Sequence, residues 1–169
     1  IGAWAGYYGG RVDAALSALI QVFWSIPSLL MVMALSFVLG KGFWQVFVAV
    51  GLTSWVEVAR LVRGQVIAWK PAEFVQAARV LGYPDGRILW KHILPNCATV
   101  ILTTLPFTLH GLVFSLSALD YLGFGLPPTE PSWGDLLHQG RENWRAWWIL
   151  TPALACLVGL MVMINSIGE

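Results

Sequence analysis

The sequence predicts an all-α membrane protein, a polytopic helical bundle, and three observations support this prediction. Hydrophobic residues make up 57% of the 169-residue chain and charged residues only 11%, whereas soluble domains carry roughly 25% charged residues. No ten-residue alternation of the kind that marks a membrane β-barrel is present. Four apolar stretches are each long enough to cross about 30 Å of hydrocarbon as a helix. They cover about 16–39, 43–67, 96–119 and 147–167.

The chain opens with IGAWAGYYGG, which has neither an initiator Met nor a basic segment, so a signal peptide is not predicted. We interpret residues 1–10 as the tail of an earlier span that ends at the turn signal Gly9-Gly10. We expect the chain to be truncated at both ends. Cys97 and Cys156 lie in apolar runs without C-x-x-C spacing, which predicts buried free thiols.

The Lys and Arg residues between the spans predict the orientation of the chain, since cytoplasmic loops are rich in them. Basic residues outnumber acidic ones in the segment 60–95, so the 68–95 loop is predicted to be cytoplasmic. Acidic residues outnumber basic ones in the 120–146 loop, which predicts that it faces outward. Lys41, in the tight turn between the first two spans, is the exception.

Two prolines, Pro27 and Pro106, lie inside predicted spans. Proline removes an intrahelical hydrogen bond and bends a helix. Such a bend is either a hinge for a conformational change or an ordinary kink of a membrane helix, and the sequence leaves both interpretations open.

The polar stretch EFVQAARVLGYPDGRILWKHILPN, residues 73–96, predicts two short helices between spans. In the first helix, four apolar residues recur with the i, i+3, i+4, i+7 spacing of one helix face, and polar residues fall on the other side. The apolar face consists of Phe74, Ala77, Ala78 and Leu81, and the polar side of Glu73, Gln76 and Arg79.

Gly82 is placed to end this helix as a C-cap glycine. Pro84 and Asp85 suit the first turn of a second helix, which runs through Arg87–His92 and which Leu94-Pro95 is expected to break before the next span. An apolar face that meets the cytosol rather than lipid needs a partner protein, unless the loop lies on the membrane surface or folds under its own bundle.

Ionisable and polar residues inside the spans are candidate pathway residues, since a bilayer makes them costly. Glu57 shares a helix face with Arg60 at i+3, and the two form either a pair near the cytoplasmic end of their span or part of a pathway or gate. The 96–119 span is the most polar one and is the predicted wall of a translocation pathway, although His110 also fits a packing role. Its polar residues are Thr103, Thr104, Thr108, His110, Ser115 and Ser117.

The 120–146 loop predicts a short amphipathic helix over SWGDLLHQGRENW, with Ser132 as N-cap and Asp135 in the first turn. Trp144, Trp147 and Trp148 are typical of the aromatic belt at a membrane interface. This helix is either a docking surface or a lid packed on the bundle.

Sequence motifs for catalysis are missing from the chain. H-E-x-x-H, G-x-S-x-G and paired carboxylates do not occur, so neither a catalytic nor a metal site is predicted. G-x-x-x-x-G-K-[ST] is also missing, so we expect this chain to bind no ATP and no other cofactor. The net charge of +1 does not indicate nucleic-acid binding.

EFVQAARVLG and HILPN together resemble the EAA loop of permease subunits of bacterial ABC importers, in the peptide-transporter branch. The general pattern is E-A-A, three residues, Gly, nine residues, Ile, one residue, Leu-Pro. Gln76 and His92 depart from it, as members of the peptide branch often do. AGYYGG, SWVEVARLVRGQV and LGFGLPPTEPSWGDLLHQGR resemble further stretches of these subunits, in the same order. The matching residues of the loop are Ala77, Ala78, Gly82, Leu94 and Pro95.

The resemblance implies the MetI-like ABC permease fold, usually with six spans, of which a single transmembrane domain over 1–169 would hold about five. It implies an inner-membrane importer of peptides or peptide-like compounds that works by alternating access. Two cytosolic ABC ATPases would use ATP and Mg²⁺ and receive the 73–95 loop. A second homologous permease subunit would complete the pore, and a periplasmic substrate-binding protein would dock on the 120–146 loop. The implied coupling residues are Glu73, Phe74, Gln76, Ala77, Ala78, Leu81, Gly82, Leu94 and Pro95.

Two rival functions are open to a helical membrane protein of this kind. A proton-coupled secondary transporter would use Glu57 and His110 but predicts inverted repeats, which the sequence does not show. A membrane-embedded enzyme would need a polar cluster that the sequence lacks. Leu116 and Asp120 stand where the family's pattern has Glu and Ser before LGFG, so the resemblance does not specify the substrate.

Overall fold

A computed structural model describes residues 1–40, 42–127, 129–143 and 145–168. The predictions made for Lys41 and Trp144 lie outside these residues. The described chain is helical and without strands, which confirms the predicted all-α membrane class. The helices are α1 (Gly2–Tyr8), α2 (Gly10–Trp24), α3 (Ser28–Leu39), α4 (Phe43–Trp69), α5 (Glu73–Val80), α6 (Asp85–Ile88), α7 (Leu94–Tyr121), α8 (Trp133–Glu142) and α9 (Trp147–Gly168), and a π-helical turn, Leu89–Ile93, joins α6 to α7.

Three helical segments of the described chain are long and apolar enough to cross a membrane, and α2 with α3 forms a fourth if the pair is one span. The predicted spans 43–67, 96–119 and 147–167 lie within α4, α7 and α9. The predicted single helix over 16–39 is wrong, because α2 ends at Trp24 and α3 begins at Ser28. Pro27 supplies no N–H to a continuing helix, and it disfavours helical geometry at Ile26 before it.

The second predicted helix of the 73–96 loop does not end before the next span. Residues Asp85–Tyr121 form one helical run of 37 residues, so the predicted break at Leu94-Pro95 is wrong. A proline has no N–H for the carbonyl four residues earlier, and its ring crowds that carbonyl. The N–H of Leu94 instead bonds to the Leu89 carbonyl oxygen, five residues back, and this wider turn precedes the proline. The α-helix also continues through Pro106.

The chain forms two compact units, which are described separately. Unit 1 comprises Ile1–Ile26 and Ser54–Thr104, and unit 2 comprises Pro27–Thr53 and Leu105–Glu169. The main core of unit 1 joins α1, the second half of α4, the 73–96 loop and the start of α7. Its buried members are Tyr7, Val66, Val75, Ala78, Ile88, Leu89, Ile93 and Cys97.

Unit 1 has a second, smaller core between α2 and α4, built by Ile20, Val56 and Ala59. The core of unit 2 joins α3, the first half of α4 and the end of α7, and consists of Val32, Val46, Ala49, Val50 and Leu119. Both cysteines are free thiols. Cys97 is buried as predicted, but the prediction for Cys156 is wrong, because its side chain points outward from α9.

Candidate functional site

Helix α5 has one face in the core of unit 1 and one row of side chains exposed. Val75 is 0% and Ala78 is 3% exposed, and both pack against α4, α6 and α7 residues of the core. Apart from Arg79, the exposed residues recur at i, i+3, i+4 and i+7, and Leu81 extends them at the end of the helix, with Val80 89% and Leu81 70% exposed. We call Glu73, Gln76, Ala77, Val80 and Leu81 the outward row.

The predicted apolar face of α5 therefore does not form a single surface. Ala77 and Leu81 are exposed, Phe74 is half-buried against Trp69 with ring centroids 5.8 Å apart, and Ala78 is inside. The helix is rotated from the predicted orientation so that Val75 enters the core beside Ala78 while Leu81 stays outside. The sequence left open whether this helix folds under its own bundle or presents a surface to a partner. In the structure one side of α5 packs into the core and the other side is exposed.

Gly82 ends α5 in the way that its sequence position predicts. Its φ of +75° lies in the left-handed region, where glycine has no Cβ penalty. The N–H of Gly82 donates to the Arg79 carbonyl oxygen at 2.9 Å, and the N–H of Tyr83 donates to the Ala78 carbonyl oxygen at 3.1 Å. These two bonds form a Schellman motif, which reverses the chain between α5 and α6.

A buried tyrosine of α1 holds the start of α6. The Tyr7 hydroxyl donates to Oδ1 of Asp85 at 2.6 Å, and Tyr7 is 3% exposed. The Lys70 ammonium and the Arg79 guanidinium each lie 5.9 Å from the centre of its ring. No sequence pattern pairs Tyr7 with Asp85, although Tyr7 lies in the AGYYGG stretch that resembles the family.

His92, which departs from the EAA pattern, has a packing partner within the loop. Its ring stacks on that of Tyr83, with centroids 5.8 Å apart and planes 17° apart. The Arg87 guanidinium lies 4.8 Å from the centre of the same Tyr83 ring. The turn after Gly82 is thereby connected to the π-helical turn, while Leu94 packs against the core and Pro95 is exposed.

The two charged positions singled out in α4 do not contact each other. Among the described residues, Arg60 has no ion pair with Glu57, and its guanidinium lies 4.0 Å from the centre of the Trp24 ring. The ion pair of this region is formed by Arg63, whose Nε and Nη2 lie 2.6 and 2.8 Å from the two carboxylate oxygens of Asp13. Glu57 is exposed.

The polar residues of α7 are divided between backbone contacts and the interior. The hydroxyls of Thr103 and Thr104 donate to carbonyl oxygens of their own helix. Thr108 and Ser115 are half-buried. The buried Nδ1 of His110 has no hydrogen-bond partner in the part of the chain that the structure describes. By the periodicity of α7, Thr104, Thr108 and Ser115 share one face of the helix, and Thr103, His110 and Ser117 share another.

Helix α8 forms at the predicted place in the 120–146 loop and packs on unit 2. Ser132 caps it by accepting a bond from the Asp135 N–H at 3.1 Å. Asp120 accepts a 2.7 Å bond from the Leu126 N–H, and His138 contacts the Tyr121 carbonyl oxygen at 3.0 Å. A largely apolar cavity of about 390 Å³ lies beneath, lined by residues of α4, α7 and α8 that include Leu116 and Asp120.

The described residues contain no cluster of three His, Cys, Asp or Glu side chains that could hold a metal ion. The groups with definite geometry are the outward row of α5, the supports beneath it and the α8 surface.

Comparison with known proteins identifies the family of the chain. Over residues 1–168 the chain matches the family described as binding-protein-dependent transport system inner membrane component. It is 37% identical to the oligopeptide transport system permease protein OppC of Bacillus subtilis (strain 168), over 99% of this chain and 55% of that protein.

Two further relatives show the same pattern. The inner membrane ABC transporter permease protein YejE of Escherichia coli (strain K12) is 37% identical, over 99% of this chain and 49% of its own length. The dipeptide transport system permease protein DppC of Bacillus subtilis is 36% identical, over 98% of this chain and 52% of its own length. The chain thus spans about half the length of the curated relatives that it matches. It is a multi-pass membrane protein, and it belongs to the family of binding-protein-dependent transport system inner membrane components.

Proposed function

We propose that this chain is the membrane part of a permease subunit of an ATP-driven importer for peptides or peptide-like compounds. The observation that carries the proposal is α5, which exposes the outward row while its opposite face lies in the core of unit 1. A partner that pushes on Val80 and Leu81 acts on a helix fixed to its own bundle. Relatives named for oligopeptide and dipeptide transport support the substrate class.

The supports of α5 make the 73–95 loop suitable for transmitting movement. Val75 and Ala78 belong to the same buried core as Val66 of α4, and the Schellman motif at Gly82 joins α5 to α6. Asp85 is bonded to Tyr7 of α1. The helix then continues into α7 without a break. Displacement of α5 is therefore passed to α1, α4 and α7, because packed interiors resist compression.

In this proposal two cytosolic ATPase subunits bind the outward row and use ATP and Mg²⁺, neither of which this chain binds. A second permease subunit of the same fold completes the pathway, and the spans alternate between inward-facing and outward-facing states. The 68–95 loop is cytoplasmic, and the 120–146 loop is periplasmic. A substrate-binding protein docks there, on α8. The protein resides in the bacterial inner membrane.

The test uses the full-length permease expressed with its partner subunits, and compares Leu81→Asp with Leu122→Asp. Both leucines are exposed, at 70% and 44%, but Leu122 follows α7 and lies outside the 73–95 loop. A charge placed in an apolar contact removes on the order of 2 kcal/mol of binding free energy, or roughly thirtyfold in affinity. We expect Leu81→Asp to reduce both co-purification of the ATPase and peptide uptake, and Leu122→Asp to leave ATPase co-purification unchanged.

Two outcomes would contradict the proposal. The first is an ATPase that co-purifies equally with both variants while Leu81→Asp retains wild-type uptake. The second is uptake that stops when the proton gradient is collapsed while ATP is maintained, which would favour a proton-coupled secondary transporter.

A further inference from the structure

A polar cleft of about 380 Å³ lies between α2 and α4, entirely within unit 1. Its floor is the buried Ile20, and polar or aromatic side chains make up the rest of its lining. The cleft lies outside the 73–95 loop. Its lining residues are Ser17, Ile20, Gln21, Trp24, Arg60 and Arg63.

The two arginines of the cleft differ in their partners. Both oxygens of Asp13 accept bonds from Arg63, at 2.6 and 2.8 Å, and Asp13 Oδ1 also accepts one from the Ser17 hydroxyl at 2.9 Å. Arg63 is thereby neutralised. Arg60 has no carboxylate partner among the described residues, so the cleft carries one uncompensated positive charge.

The contact between Arg60 and Trp24 orients the guanidinium for binding. The guanidinium carbon lies 4.0 Å from the centre of the indole ring, within the range of a cation–π contact. A guanidinium carries its N–H donors in a planar fork that matches the two oxygens of a carboxylate. Gln21 is exposed beside it and offers a carboxamide N–H.

Arg60 lies well inside α4, among exposed polar residues of α2 and α4 and the exposed apolar Val22 and Val58. Arg60 lies nine residues before the end of α4, roughly 14 Å along the axis at about 1.5 Å per residue. Around it, α2 and α4 expose Gln21, Ser25, Glu57 and Gly64. Polar side chains inside a span almost always face a bundle interior or a water-filled cavity.

We propose that this cleft binds the carboxylate of the transported peptide, with Arg60 as the charged anchor, Gln21 as a second donor and Trp24 as the platform that holds the guanidinium. The inference rests on the proposed function and adds a substrate contact to it. A lipid phosphate carries the same kind of oxyanion, and the liposome composition used below distinguishes it from the peptide carboxylate.

The experiment uses the complete transporter in proteoliposomes and measures ATP-driven uptake of trialanine and of trialanine amide. The variants are Arg60→Gln, Arg60→Lys and, as a matched control, Arg11→Gln, whose arginine is exposed in the first turn of α2 and lies outside the cleft. The ratio of variant to wild-type uptake is taken for each peptide, so that the preference of the binding protein cancels.

We expect Arg60→Gln to lower uptake of the free acid about tenfold or more, because hydrogen bonds to a charged group are lost. Uptake of the amide should change less than twofold. Arg60→Lys should retain part of the preference for the acid, since it keeps the charge but not the fork. Arg11→Gln should leave both ratios near one.

A second measurement bypasses the binding protein. Gln21→Cys, made in a Cys156→Ser background, is labelled with a charged maleimide while trialanine or its amide is present at millimolar concentration. The free acid should protect the cysteine and the amide should not. Equal protection by both peptides, or by neither, would overturn the inference.

Three further results would overturn it. The first is an equal reduction by Arg60→Gln in the uptake of both peptides, which indicates a structural role. The second is a pair of uptake ratios for Arg60→Gln equal to those of Arg11→Gln. The third is a fall of wild-type uptake, in liposomes without phosphatidylglycerol, to the level of Arg60→Gln, which assigns Arg60 to a lipid phosphate. In each of these cases the wild type still takes up peptide in liposomes that contain phosphatidylglycerol. If the proposed function itself is wrong, the wild type shows no ATP-driven peptide uptake at all.

Discussion

At the scale of single residues, Tyr7 shows how the 73–95 loop is tied to a neighbouring helix. Its hydroxyl donates to Asp85 across 78 positions of sequence, and its ring lies between the cations of Lys70 and Arg79. A buried hydroxyl bonded to a carboxylate stabilises both ends of the contact more than a neutral pair does. Tyr7 is thus a positioning residue for the loop rather than part of its exposed surface.

Tyr7→Phe should loosen the start of α6 without emptying the core, since only the hydroxyl is removed. Loss of the bond costs about 1–2 kcal/mol. The population of the locally open state, and with it the rate of amide exchange, should therefore rise on the order of fivefold or more. Amide hydrogen exchange over residues 83–93 measures this effect. Tyr8→Phe is the matched control, because Tyr8 is 52% exposed. Equal exchange in the two variants would show that the Tyr7–Asp85 bond does not hold the loop.

At the scale of elements, α5 and α8 are both short amphipathic helices, but they meet their surroundings differently. Helix α5 buries Val75 and Ala78 and leaves Val80 and Leu81 free. Helix α8 approaches its neighbours at glycines, since a Cβ added to Gly134 would overlap the Ser117 carbonyl oxygen and Asp120 of α7. Small residues at such crossings allow close approach of backbones.

Gly134→Ala should displace α8 from α7, because the atoms that the new methyl group meets include backbone atoms, with the Tyr121 nitrogen at 2.8 Å. Overpacking of this kind costs about 1–3 kcal/mol. We expect a lower midpoint of thermal unfolding for the purified permease and faster tryptic cleavage after Arg141.

The matched control for this variant is Gly140→Ala, whose added Cβ would lie 3.1 Å from Cβ and Cδ1 of Leu150, a tight contact that a shift of a few tenths of an ångström relieves. Its effect should be smaller. Gly159→Ala, with no atom within 4 Å of the added group, should be neutral or stabilising by about 0.5–1 kcal/mol, because Ala favours the helix. A Gly134→Ala variant as stable as Gly159→Ala would contradict the close packing of α8.

At the scale of the whole molecule, the distribution of Lys and Arg predicts that the 68–95 loop is cytoplasmic and that the 120–146 loop is periplasmic. Single cysteines at Leu81 and Leu122, both exposed, test this prediction. They are introduced in a Cys156→Ser background, because Cys156 is exposed and Cys97 is buried.

With an impermeant maleimide, intact spheroplasts should label Leu122→Cys, and only opened membranes should label Leu81→Cys. Membrane-inverted vesicles provide the reciprocal control and should show the reverse pattern. Labelling of Leu81→Cys from outside would show that the 68–95 loop is not cytoplasmic. It would also contradict the assignment of α5 to a cytosolic partner.

The sequence predicted most of the fold, and its errors have physical causes. Length and apolarity located α4, α7 and α9, because a helix satisfies its own backbone hydrogen bonds and needs no distant contact. The single span expected over 16–39 is divided at Pro27, whereas the helix continues past Pro95 and through Pro106. Proline acts on the local backbone, but whether it ends a helix or is absorbed by a π turn depends on the packing around it.

The amino-acid sequence by itself determined the membrane class, the positions of the apolar helices, the Gly82 turn and the Ser132 cap, since each depends on residues within one or two turns of each other. Only the tertiary structure decided that Val75 and Ala78 face inward and that Val80 and Leu81 are exposed beside Glu73 and Gln76. It also paired Tyr7 with Asp85, Asp13 with Arg63 and Arg60 with Trp24. Such contacts join positions far apart in the chain, and helix periodicity identifies a face without naming the neighbour against which it packs.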